Sequence, residues 1–173
     1  MVDRKQLDDI IMKNNAEDWW QLERFVTYTK HLLPPELEIL ADPPPEHENY
    51  NCFLYALGLH TNKTVLQETQ GFIYDSLIKH LLTTGDLVKT DTPQNEDYIV
   101  YQDLVHYPNN LTHIGIVEDD KVISKWAWGP LVKHSIWDVP AEYGDAIFYI
   151  RSISIDRALS LYQQHKDYNV VSL

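Results

Sequence analysis

The sequence predicts an α+β domain, and three observations carry that reading. Apolar residues recur at helical spacing in the first part of the chain. Beyond Pro93 they alternate at strand spacing. The two regimes follow one another instead of interleaving, which favours helices packed on an antiparallel sheet. With 173 residues, 44% of them apolar, the chain is long enough for one domain with its own core.

Taken in order, residues from about Arg4 to Leu33 read as helical. Leu7, Ile10 and Ile11 form one apolar stripe; Trp19, Leu22, Phe25 and Val26 form a second. Asn14-Asn15 falls between them, with Asp18 as a candidate cap, and Pro34-Pro35 ends the region. Asp42-Pro43-Pro44-Pro45 is an extended connector leading to Asn51-Cys52. Cys52 to Leu57 is apolar almost all round, so a short buried helix is expected there, stopped by Gly58. A second helix is expected from about Gln67 to Leu82, with Phe72, Ile73, Leu77, Ile78, Leu81 and Leu82 inward and Gly85 closing it.

Tyr98 to Tyr101 reads as the first strand. Thr112 to Val117 follows, then a turn at Glu118-Asp119-Asp120 and a return strand from Lys121 to Trp128. Gly129-Pro130 turns the chain into a strand from Leu131 to Ile136. Ala146 to Ile153 is the last strand, and a helix runs from about Asp156 to His165. The expected organisation is a single domain over 1–173. A helical region and connector occupy 1–44, a core 45–153, and a closing helix and tail 154–173.

Charge narrows the function classes. The formal net charge is -12. A nucleic-acid binder needs a basic footprint, and docking on anionic lipid needs basic clusters, so both are excluded as partners. A single cysteine excludes an internal disulfide framework and a Cys-rich zinc site. The eight His (31, 47, 60, 80, 106, 113, 134 and 165) show no metal-binding spacing, so neither metal nor other cofactor is expected. No apolar run reaches the roughly 20 residues that span a bilayer, and the charged N-terminus has no signal-peptide core. A cytoplasmic protein is expected, and delivery as an effector by a signal-independent route fits the same features.

The chemistry centres on Glu48-Asn49-Tyr50-Asn51-Cys52-Phe53. Asn51 or Asn49 can cap the helix, which puts Cys52 in its first turn. There the free N–H groups favour a thiolate and can hold an oxyanion. The alternative is that a lone cysteine is simply a small core residue. A thiolate nucleophile needs a base, and His113, at the start of His113-Ile114-Gly115-Ile116-Val117, is the candidate. From the strand start it can project toward a helix packed on the sheet, with Gly115 leaving the surface open beside it. If Asp119-Asp120 is a two-residue turn, Val117 faces Val122, Gly115 faces Ser124 and His113 faces Trp126. Residues 113, 115, 122, 124 and 126 then share a face and Lys125 points the other way. Ser124 is thus a candidate to orient the imidazole, with His134 as the alternative base or orienter. Each also reads as an ordinary strand residue.

A helix opening on Cys, then a strand opening H-[IV]-G-[IV], a hairpin and a return strand resembles the NlpC-type branch of papain-like thiol peptidases and amidases. The sequence is also similar to a set of mostly bacterial proteins carrying Y-N-C-x-x-[YW]-A-L-G, S-K-[WL], G-P-L-x-x-H and a later Y-G. Here these are Tyr50 to Gly58, Ser124-Lys125-Trp126, Gly129 to His134 and Tyr143-Gly144, within roughly residues 45 to 151. The resemblance implies a papain-like fold, with N-terminal helices on a small antiparallel sheet. It implies a thiol hydrolase or acyltransferase in which Cys52 is the nucleophile and His113 the base. By position, Ser124 is the third residue. A peptide or acyl-amide is the implied substrate. A catalytically inactive relative that binds a protein partner, through its acidic surface and Trp19, Trp20, Trp126, Trp128 and Trp137, is the competing expectation.

Overall fold

The computed structural model describes residues 2–13 and 21–171. Among these residues seven strands form one antiparallel sheet: β1 (Glu38–Ala41), β2 (Lys89–Thr90), β3 (Tyr98–Gln102), β4 (Leu111–Glu118), β5 (Lys121–Lys125), β6 (Leu131–His134) and β7 (Ala146–Ile150). Their spatial order is β1-β6-β5-β4-β3-β7-β2. Six α-helical segments lie among the described residues: α1 (Arg4–Asp8), α2 (Leu22–Arg24), α3 (Cys52–Ala56), α4 (Lys63–Thr69), α5 (Asp75–Thr84) and α6 (Ile155–His165). The α+β expectation holds.

The sheet is larger than expected. β1 and β2 are short and largely exposed, so neither shows the alternation that marks a half-buried strand. Nor is it a plain meander. β4, β5 and β6 are consecutive neighbours, but β7 returns to lie between β3 and β2.

Each face of the sheet carries its own core. On one side α3, α5 and α6 pack against Tyr98, Val100, Ile114 and Ile150. On the other, Leu7, Ile10, Ile11 and Phe25 pack against Ile99, Tyr101, Val122, Trp126 and Val132. The N-terminal segment therefore completes a core. Each such Leu or Ile contributes about 2 kcal/mol on burial. Asp3 caps α1, its carboxylate accepting from the N–H groups of Lys5 and Gln6.

Several boundaries differ from the sequence expectation. The single helix expected over 67–82 is two. Gln70 and Gly71 both take left-handed backbone, which ends α4 before α5 begins. In the second expected stripe, Phe25 is buried but Leu22 and Val26 are exposed, because only one residue of that short turn reaches the core. Trp19, Trp20, Asp18 and Asn14-Asn15 lie outside the described residues. The return strand stops at Lys125, where Trp126 to Pro130 form a tight loop closed by the Trp126 N–H donating to the Pro130 carbonyl. No described helix is long and apolar enough to cross a membrane.

Candidate active site

Cys52 opens α3 because Asn51 caps it. The Asn51 Oδ1 accepts from the Leu54 N–H at 3.2 Å and the Ile73 N–H at 3.4 Å, while its Nδ2 donates to the Ile73 carbonyl at 2.7 Å. The cap therefore also ties α3 to the turn before α5. Asn49 acts elsewhere, donating through Nδ2 to the Trp128 carbonyl at 2.7 Å.

Cys52 is 5% exposed, and burial pushes its thiol up to about 11. The N–H groups of Ile114, Phe53 and Cys52 itself oppose that shift, as does the Lys125 charge. Interaction with the Ile114 N–H places the sulfur beside the peptide that follows His113.

The hairpin has the expected register. β4 pairs with β5 through Ile116↔Ile123, Val117↔Val122 and Glu118↔Lys121, around the two-residue turn Asp119-Asp120. The face is not the one that a His113 aimed at α3 would need. Ile114 belongs to the core under α3, so alternation sends His113 to the opposite side, where its ring meets Tyr143 and Tyr101. The space expected over Gly115 is filled. A Cβ there would lie 2.4 Å from a Val122 methyl carbon and 3.1 Å from the Ser124 Cβ.

Cys52 and His113 still line one cavity, at the end of the sheet where β4 begins. Its volume is about 360 Å³, and Phe72, Tyr74, Ala127 and Tyr143 complete much of its wall. His113 is 1% exposed, and burial holds its imidazole well below its ordinary value, with the nearby His134 acting in the same direction. At neutral pH the ring is uncharged. Its Nε2 is buried with no hydrogen-bond partner.

Ser124 does not supply one. Its hydroxyl bonds the Nε2 of His134 at 2.8 Å, and the His134 Nδ1 donates to the Ser135 carbonyl at 2.8 Å. With Nδ1 as donor, Nε2 accepts, so the Ser124 hydroxyl donates to it. Burial lowers His134 to about 4, so this pair is neutral and closed on itself. The sequence expectation that Ser124 orients His113 is corrected by this pairing. Trp126 is fully buried on the same face as Ser124.

What holds His113 is Tyr143. The two rings stack with centroids 3.9 Å apart at 11°. Tyr143 reaches this position because the chain reverses at Gly144, with φ +98°, where a Cβ would lie 2.0 Å from the Gln102 carbonyl oxygen. Arg4 fixes the same loop by donating to the carbonyls of Val139, Pro140 and Gly144. The Tyr143 hydroxyl is also buried and unpartnered, and the Trp126 Nε1 is a third such atom. The Ala127 peptide lies near the Tyr143 hydroxyl without meeting hydrogen-bond geometry. Burial raises Tyr143 well above an ordinary phenol, and the charge of Cys52 adds to the shift. Three orphaned polar atoms on Tyr143 and the two rings against it are unusual in a folded interior, where such groups are nearly always paired.

The chain belongs to the family described as Domain of unknown function (DUF7689), whose model matches residues 43–151. The match contains Cys52, His113, Ser124, Lys125, His134 and Tyr143, and leaves out β1 and α6. Neither the curated proteins nor the solved structures include one that matches the chain.

Two residues of this site escaped sequence reasoning. Tyr143 was visible only as part of a Tyr-Gly pair, and a glycine forced into left-handed backbone was the available signal. Alternation gave the face of Lys125 but no signal of its burial, since lysine is ordinarily a surface residue. Among the described residues no cluster of His, Cys, Asp or Glu could hold a metal ion.

Proposed function

We propose that this protein is a papain-like thiol hydrolase or acyltransferase acting on an amide or related acyl bond. The observation that supports it is the shared cavity of Cys52 and His113, with the His113 Nε2 buried and lacking a partner. The neutral imidazole is the form that accepts a proton. In the first step the Cys52 proton passes to His113 and the sulfur attacks the substrate carbonyl carbon. The Cys52 N–H and the unpaired Tyr143 hydroxyl are the donors for the resulting oxyanion. His113 then returns the proton to the leaving amine, and the thioester is released by water or by a second amine. Ser124 acts on His134 in this scheme and Tyr143 orients His113. The substrate class is a peptide or acyl-amide, and the working compartment is the cytoplasm, or that of a host cell after delivery.

One observation favours a second reading, an inactive relative serving as a protein-interaction module. Burial pushes the Cys52 thiol up to about 11 while it lowers His113, so the resting pair carries no charge. Mixing the protein with a p-nitrophenyl ester separates the two. A thiol enzyme gives a stoichiometric nitrophenolate burst and an acyl adduct on Cys52 by mass spectrometry, absent in Cys52→Ala and slowed in His113→Ala. No burst in the wild type leaves the interaction module.

A further inference from the structure

The end of β5 holds a cation that the mechanism above does not use. Lys125 is 1% exposed. Its neighbours in sequence, Ser124 and Trp126, belong to the face away from α3, so alternation turns Lys125 toward α3 and the segment leading to Cys52. There its Nζ donates to the Asn49 Oδ1 at 3.1 Å and to the Gly129 carbonyl, and it lies 5.1 Å from the centre of the Tyr50 ring. Asn49 and Tyr50 stand just before the Asn51 cap. Among the described residues no carboxylate forms an ion pair with Lys125. Lysines this buried are ordinarily paired, because an uncompensated interior charge is costly. The anion-forming group within its electrostatic reach is the Cys52 thiol, and the interaction runs both ways, lowering Cys52 and raising Lys125.

We propose that Lys125 is a positioning residue for the nucleophile: its ammonium, held by Asn49 and Gly129, is the counter-charge for the Cys52 thiolate. It rests on the reading of Cys52 as a nucleophile. The thiol proton goes to His113, as above. Lys125 moves no proton, and its charge stabilises the sulfur anion from the α3 side while His113 acts from the other face of β4. Burial lowers Lys125 to about 7, and the Cys52 charge opposes that shift, so formation of the thiolate holds the proton on Lys125. The other titratable groups that line the Cys52 cavity among the described residues are Tyr74, Asp75, Tyr107, the Tyr143 phenol and the neutral His113, and Asp75 is itself ion-paired with Lys79 at 2.8 Å. None of the five supplies a positive charge to Cys52 at rest. One feature of the sequence is thereby explained: a lysine between a buried serine and a buried tryptophan.

The test is Cys52 alkylation against pH, with neutral iodoacetamide and anionic iodoacetate in parallel. The proteins are wild type, Lys125→Met, His113→Ala and, as control, Lys121→Met, which removes a lysine at the other end of β5 that bonds the Ser135 hydroxyl. Lys125→Met is expected to raise the inflection by about one pH unit or more and to lower the iodoacetate-to-iodoacetamide rate ratio several-fold. Lys121→Met leaves both unchanged. Should Lys125→Met fail to fold, Asn49→Asp keeps the acceptor but sets a carboxylate against the ammonium, and both readouts move the same way. Wild-type inflection and ratio in the Lys125 or Asn49 variant overturn the proposal. A response to His113→Ala without one to Lys125→Met removes the Lys125 role alone. An ordinary inflection that ignores both residues removes the thiol-enzyme reading with it.

Discussion

The imidazole of His113 lies flat against the phenol ring of Tyr143, with centroids 3.9 Å apart and planes 11° from parallel. Both rings are buried, and neither the His113 Nε2 nor the Tyr143 hydroxyl has a hydrogen-bond partner. The stack supplies orientation that polar contacts to the ring do not, and it keeps Nε2 free. Tyr143→Phe retains the stack and removes the orphan hydroxyl, so we expect folding stability within about 1 kcal/mol of wild type. Acylation of Cys52 should slow by roughly tenfold or more if the hydroxyl binds the oxyanion. Tyr143→Ala removes the ring and should cost about 3 kcal/mol in urea unfolding.

Ser124 separates structure from catalysis. Its hydroxyl donates to the buried His134 Nε2 and is not bonded to His113. Ser124→Ala leaves that nitrogen without a donor and should cost about 1–3 kcal/mol. The pH inflection of Cys52 alkylation should stay where it is. A shifted inflection would show that Ser124 reaches His113 after all.

Acid sensitivity should begin well above the carboxylate range. Burial lowers His134 to about 4, against about 6.5 for the unfolded chain. Between those values the unfolded state binds more protons than the folded one. Stability from this group is therefore fully present above pH 6.5 and is lost as pH falls toward 4, by about 3 kcal/mol in all. His113 is shifted in the same direction and deepens the loss. Urea midpoints measured across that window should fall with pH, and His134→Gln should flatten part of the slope.

Asn51 is expected to be the most sensitive polar residue near the cysteine. Asn51→Ala removes the cap on α3 and both ties to Ile73. A capping loss of about 1 kcal/mol and a buried carbonyl left unbonded together suggest about 2–4 kcal/mol. Asn51→Asp keeps the two accepted bonds and loses only the donor to Ile73. Urea unfolding should therefore rank wild type, Asp and Ala in order of falling stability.

Local chemistry made part of this site legible in the sequence. A capping Asn before an apolar run placed Cys52 in the first turn of α3. The Asp119-Asp120 turn set the β4–β5 register, and strand alternation put Lys125 opposite Ser124. These rest on neighbours within a few residues, where backbone geometry leaves few options. The break between α4 and α5 was missed although Gly71 stood in view, because the apolar spacing continues across it.

By itself, then, the sequence determined an α+β domain with a cysteine opening a buried helix and a histidine near the start of a strand, which begins two residues earlier, at Leu111. Tertiary structure alone decided on which face of β4 the histidine lies, that Tyr143 stacks on it, that Ser124 serves His134, and that Lys125 is buried against Asn49. The physical reason is that periodicity says which residues share a face but not which element covers it. That depends on the return of β7 beside β3 and on Arg4 holding the loop that carries Tyr143. Contacts of that kind join segments far apart in the chain, and no local pattern records them.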